Sequence, residues 1–161
     1  MINKILIAFT WLVIGLFGGF YGSNYYYRIV QVDPAYIEVS SDTDMIRLIN
    51  KTRTEAGLPE LIENELLDKS ARAKACDMRD RKYFEHVSPE GVEPWKFIVA
   101  AGYKYYDAGE NIAMSYTSTK KLAEAYMNSP EHRDNILDDR YTEIGVGNCG
   151  IYQVEHFGSR K

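Results

Sequence analysis

From Thr117 onward the apolar spacing of Leu122, Ala123 and Tyr126 is helical. It runs into Ser129-Pro130-Glu131-His132-Arg133-Asp134-Asn135-Ile136-Leu137, where proline interrupts it and a histidine and an arginine follow within three residues. Proline lacks a backbone donor and crowds the preceding turn, so the sequence predicts a helix from about Thr117-Ser118-Thr119 to Ser129, ended by Pro130. His132 is expected just past that end, which holds polar chemistry at a helix terminus. Two earlier stretches are suited to meet it, Tyr83-Phe84-Glu85-His86-Val87-Ser88-Pro89-Glu90-Gly91 and Ala108-Gly109-Glu110-Asn111-Ile112-Ala113. Each places one His or Glu among residues that otherwise turn the chain or pack.

The elements around these stretches follow from caps and periodicity. Ser40-Ser41-Asp42 supply N-caps for a first helix whose apolar positions are Met45, Ile46, Leu48 and Ile49, and Gly57 with Pro59 stops it. Asn64 caps a second helix to about Lys82, with Leu67, Ala71, Ala75 and Met78 on one face and small alanines suited to close packing. Pro94 starts a short helix that Gly102 stops. Glu110 is read as a carboxylate at a strand start, either solvated in a loop or aimed into a cavity. The stretch from Thr142 to Phe157 reads as two short antiparallel strands. Arg133, Asp134 and Asn135 are assigned to satisfying loose backbone groups after the proline rather than to chemistry.

The N-terminus is of a different kind. Ile5 to Gly22 runs for 18 residues without a charge, between Lys4 and Arg28, which is long enough to span a bilayer. Tyr21, Tyr25, Tyr26 and Tyr27 at its outer end resemble an interfacial aromatic belt and favour a retained single-pass anchor. Gly18-Gly19-Phe20-Tyr21-Gly22-Ser23 is a poor cleavage site, so a cleaved signal peptide is the second reading. Residues 1–30 are therefore an anchor or signal, 31–41 a linker, and 42–161 a domain outside the cytoplasm, held at the membrane or secreted. Of the 19 Lys and Arg residues only Lys4 and Arg28 precede residue 33, while all 23 Asp and Glu residues follow residue 32, so residues 33–161 carry a net charge of −6. Nucleic acid is not a partner for such a surface, because phosphate binding needs a basic footprint.

The two cysteines are Cys76 and Cys149. Cys76 lies on the second helix among Asp68, Lys69, Arg72, Arg79 and Asp80, and Cys149 in the strand-like Ile144-Gly145-Val146-Gly147-Asn148-Cys149-Gly150. Their spacing excludes a compact CxxC motif. In an exported domain the alternatives are a 76–149 disulfide and two unreactive thiols.

Taken in order, these pieces resemble the bacterial branch of one family: the cysteine-rich secretory protein, antigen-five and pathogenesis-related-one superfamily, whose modules are known as CAP or SCP domains. The resemblance covers about residues 44–158. It is carried by Leu48-Ile49-Asn50-Lys51-Thr52-Arg53 with Gly57-Leu58, the His86 and Glu110 stretches, Ser129 to Leu137, and Tyr141-Thr142-Glu143-Ile144-Gly145-Val146-Gly147. It implies an α+β fold, a three-layer α-β-α sandwich with a small antiparallel sheet, around a central cavity lined by two histidines and two acids. His86, Glu110 and His132 match three of those positions. The fourth departs: the chain reads Ala125-Tyr126-Met127-Asn128-Ser129, which leaves Ser129 nearest, with Glu131 two residues on and Tyr126 where relatives carry tryptophan.

Two imidazoles and a carboxylate, His86, His132 and Glu110, could ligate a divalent metal of the zinc type. They could equally form a hydrogen-bonded cluster that orders the cavity. There is no HExxH motif, and no serine or cysteine beside a histidine in sequence marks a nucleophile. His156 has no motif support and is expected at the surface. Two function classes remain. One is a non-catalytic extracytoplasmic module binding a lipid, a peptide or a cell-envelope component. The other is a metal-dependent hydrolase acting on peptide or cell-wall substrates.

Overall fold

The computed structural model describes residues 42–161, all within one compact unit. The anchor or signal of residues 1–30 and the linker of 31–41 lie outside the described residues. Among the described residues no helix is long and apolar enough to cross a membrane.

Among the described residues five helices and four strands follow one another in the order α1 (Asp42–Glu55), β1 (Ile62–Glu63), α2 (Glu65–Arg81), α3 (Pro94–Ala100), β2 (Tyr105–Met114), α4 (Thr119–Asn128), α5 (Pro130–Ile136), β3 (Glu143–Cys149) and β4 (Tyr152–Arg160). The Asn64 side chain accepts from the Leu66 amide and starts α2, which then ends on Lys82 in the left-handed region at φ 57°. Acidic Glu65 and Asp68 in its first turn and basic Arg79 and Arg81 in its last complement the helix dipole.

Pro130 does more than end a helix. α4 stops at Asn128, and Pro130 then occupies the first turn of the new helix α5, so His132 lies inside α5 rather than beyond a helix end. In a first turn the missing N–H is not needed and the fixed φ already suits the helix, so one proline both closes α4 and opens α5.

The strands form one mixed sheet in the order β1-β3-β4-β2. β3 and β4 form the expected antiparallel hairpin and β2 pairs antiparallel with β4, but the two-residue β1, which the sequence reading lacks, pairs parallel with β3. The sheet is therefore not wholly antiparallel. Period-two alternation assigns the faces. Gly145, Gly147, Cys149 and Val154 face α2, while Ile144, Val146 and Phe157 pack with Met45, Ile49, Leu122 and Ile136 from α1, α4 and α5. A Cβ at Gly145 or Gly147 would collide with the α2 backbone at Leu67–Asp68 or Ala71–Arg72, so these glycines let helix and sheet approach closely. Cys76 on α2 is bonded to Cys149 at the end of β3, with Cα atoms 5.0 Å apart, which ties helix and sheet together.

β2 is an edge strand, and side chains of α5 cap its free side. Asn135 Nδ2 donates to Glu110 O at 3.1 Å and to Asn111 Oδ1 at 2.9 Å, and Asn111 Nδ2 donates to His132 O at 3.2 Å. Covering an edge in this way prevents its unpaired backbone from recruiting another chain. The backbone partner of Asn135 is thus Glu110 O on β2, not one of the loose groups after the proline.

Candidate functional site

Glu110 sits in the middle of β2, not at its start, and is only 5% exposed. Its Oε1 accepts from His86 Nδ1 at 2.7 Å and its Oε2 from His156 Nε2 at 3.0 Å. The second of these corrects the reading of His156. Its imidazole is not at the surface but fully buried, because the β2–β4 register sets it directly opposite Glu110, on the α2 face of the sheet. Behind it, Ser70 Oγ on α2 lies 2.6 Å from His156 Nδ1 and donates to Leu67 O at 2.8 Å.

The resulting sequence Ser70–His156–Glu110–His86 runs from the core to the surface. Ser70 and His156 have no exposure, whereas the His86 side chain is 52% exposed. A serine, a histidine and a carboxylate in line resemble a nucleophilic triad, but a buried Ser70 that donates to its own helix meets no substrate. The accessible end is instead His86, whose Nδ1–H is held by Glu110 and whose Nε2 makes no hydrogen bond among the described residues.

Burial alone would raise the Glu110 pKa, but hydrogen bonds from His156 and His86, with the positive charge of Lys74 nearby, bring it below the usual carboxylate range. The same hydrogen bond to Glu110 raises His86, against its partial burial and the repulsion of Lys74. The loop carrying His86 is pinned from α2 by Lys74, a fully buried lysine whose Nζ donates to Glu85 O at 2.8 Å, His86 O at 2.7 Å and Tyr83 Oη at 3.1 Å. Burial lowers the Lys74 pKa despite the carboxylates of Glu110 and Asp77.

His132 stands apart from this line. Its Nδ1 lies 2.8 Å from Ser129 Oγ, and its ring lies against Tyr126 with centroids 4.9 Å apart. Burial, then repulsion from His86, lowers its pKa. Ser129 thus reaches the site by holding His132, while Glu131 is exposed. His86, His132 and Glu110 do not make a ready metal-ligand set. Each Glu110 oxygen already accepts from an imidazole, and among the described residues no three His, Cys, Asp or Glu side chains come together to hold an ion.

On the opposite sheet face from Glu110, Glu155 is 1% exposed, and burial raises its pKa to about 8 although Asn111 Nδ2 donates to it at 3.1 Å. Ser70, Lys74, Glu155 and His156 are all absent from the sequence reading of the site. Only a prediction of the β2–β4 register would have placed His156 beside Glu110.

Two cavities follow one another along β2. One, of about 310 Å³, is mainly apolar, lined by Phe84, Ile112, Met114, Leu122, Ala125 and Tyr126, with Ser129 and His132 as polar members. The other, of about 320 Å³, includes His86, Glu110 and Trp95.

The sequence model of the cysteine-rich secretory protein family, CAP, matches residues 46–155. The protein YkwD of Bacillus subtilis (strain 168) is 44% identical over 103 residues, which are 64% of this chain and 40% of YkwD. The membrane protein YlbC of the same organism is 30% identical over 124 residues, 77% of this chain and 36% of YlbC. The chain thus spans about two fifths of the length of the curated relatives it matches. Among solved structures, an extracellular SCP-domain protein of Bacillus anthracis str. Ames superposes with a TM-score of 0.70 at 28% identity, over 74% of this chain and 40% of that one.

Proposed function

Because this chain belongs to the cysteine-rich secretory protein (CAP) family, we propose that residues 42–161 are an extracytoplasmic binding module for an envelope molecule with an apolar chain and a polar head. The charge-free run Ile5 to Gly22 holds the module at the outer face of the membrane. The likeness to an extracellular SCP-domain protein and to a membrane protein supports that location.

The observation that carries the reading is the apolar cavity of about 310 Å³ beside β2. Phe84, Met114 and Tyr116 line it and are themselves between 38% and 39% exposed, so apolar surface continues from the cavity to its mouth. Ser129 and His132 are its polar members and suit a hydroxyl, ester or carboxyl head group. A metal-dependent hydrolase is the weaker reading, since no three His, Cys, Asp or Glu side chains among the described residues come together to hold an ion.

Ala125 on α4 lines the cavity, and Ala125→Trp fills it. Mass spectrometry of organic extracts from the purified full chain should find an acyl-bearing molecule that Ala125→Trp loses. Equal recovery from both proteins would refute the reading.

A further inference from the structure

The second cavity, beside the first half of β2, holds polar groups that the fold does not use. Tyr141 is 5% exposed, yet its hydroxyl has no hydrogen-bond partner among the described residues. Asn135 gives its amide protons to Glu110 O and Asn111 Oδ1, which leaves its own Oδ1 as an acceptor. His86 has Nε2 to offer. Glu93 holds the N-cap position of α3 without capping it, so its exposed carboxylate is also uncommitted among the described residues. The half-buried indole of Trp95 completes the wall. Gly109 keeps this floor open, because a Cβ there would lie 2.6 Å from the Tyr141 hydroxyl and 3.0 Å from Asn135 Oδ1.

These groups select a chemical class. An apolar ligand would bury Tyr141 and Asn135 unpaired, which is unfavourable. An anion would meet Glu93 and Glu110 with no Lys or Arg in the lining to offset them. A sugar ring offers an apolar C–H face to an indole and hydroxyls that both donate and accept, which matches one aromatic wall ringed by two acceptors, an imidazole and a phenol. We propose that this cavity is a subsite for a neutral pyranose ring of a glycan, stacked on Trp95 and hydrogen-bonded by Tyr141, Asn135, His86 and Glu93. It goes beyond the apolar-chain reading and does not depend on it.

The test is calorimetric titration of the full chain, in a detergent without a sugar head group, with the neutral oligosaccharide chitotetraose. Saturable binding is expected. Trp95→Ala should weaken it by about tenfold or more, and Glu93→Gln and Tyr141→Phe by about threefold to tenfold each. Trp95 also packs near Ile98 and Leu67, so the exposed Glu93→Gln is the variant least able to act through folding. No saturable binding by the wild type, or affinity unchanged in Glu93→Gln, Tyr141→Phe and a folded Trp95→Ala, would overturn the proposal.

Discussion

His156 holds Glu110 from inside the protein: Nε2 lies 3.0 Å from Oε2 across the β2–β4 ladder, with side-chain exposures of 0% and 2%. His86 holds the other oxygen from outside, where water can take its place. Removing one partner of a buried charge leaves that charge without compensation. His156→Ala should therefore cost about 3 kcal/mol of unfolding free energy, and His86→Ala clearly less. Urea unfolding of the two variants decides this, and equal losses would mean that both imidazoles support Glu110 alike.

The histidines should titrate apart. Glu110 raises His86, while burial and the charge of His86 lower His132, so their midpoints should fall on either side of about 6.5. His86 binds protons more readily folded than unfolded. Its contribution is present below about 6.5 and is lost as pH rises through its folded midpoint. Glu110 has the opposite sign: its contribution is present above about 4.3 and is lost as pH falls through its depressed midpoint. In NMR titrations Glu110→Gln should lower the His86 midpoint, and an unmoved midpoint would rule out Glu110 as the cause.

Glu155 provides a second pH signature. Burial raises it to about 8, so between about 4.3 and about 8 the unfolded chain is ionised while the folded one keeps the proton. Across that window Glu155 should lower stability as pH rises, by up to about 1.4 kcal/mol per unit. Glu155→Gln removes the titration, and its stability advantage over wild type should grow from pH 5 to pH 8. A constant difference would show that Glu155 ionises normally.

The Cys76–Cys149 bond closes a loop with a sequence separation of 73 and should stabilise the fold by about 4 kcal/mol on the chain-entropy model. Reduction should lower the urea midpoint, and quantitative labelling of both thiols in unreduced, unfolded protein would exclude the bond.

Helices α1 to α4 were legible because their caps and stops are local: Asn64, Gly57 and Pro94 act on their nearest turns, whereas α5 was not foreseen. His86, Glu110 and His132 were legible through the separate motif stretches that carry them, although they lie more than twenty residues apart. His156 was not, because strand register is a long-range property that one sequence leaves open. Buried charges were equally hidden. Arg53, which the sequence marks only as part of a motif, is 1% exposed and donates to the carbonyls of Pro59, Ile136, Asp138 and Tyr141. Pro130 was ambiguous by nature, since the same ring that ends one helix can start another.

An apolar chain seated in the cavity beside β2 can be detected in place. The most direct measurement is photo-crosslinking of the full chain in lipid vesicles containing a diazirine-bearing long-chain fatty acid, with adducts mapped by peptide mass spectrometry. Adducts are expected on the segments that line the cavity, around Ile112 to Tyr116 and Leu122 to Tyr126, and should be lost in Ala125→Trp. Labelling confined to residues 1–41, or cavity labelling that Ala125→Trp leaves unchanged, would contradict it.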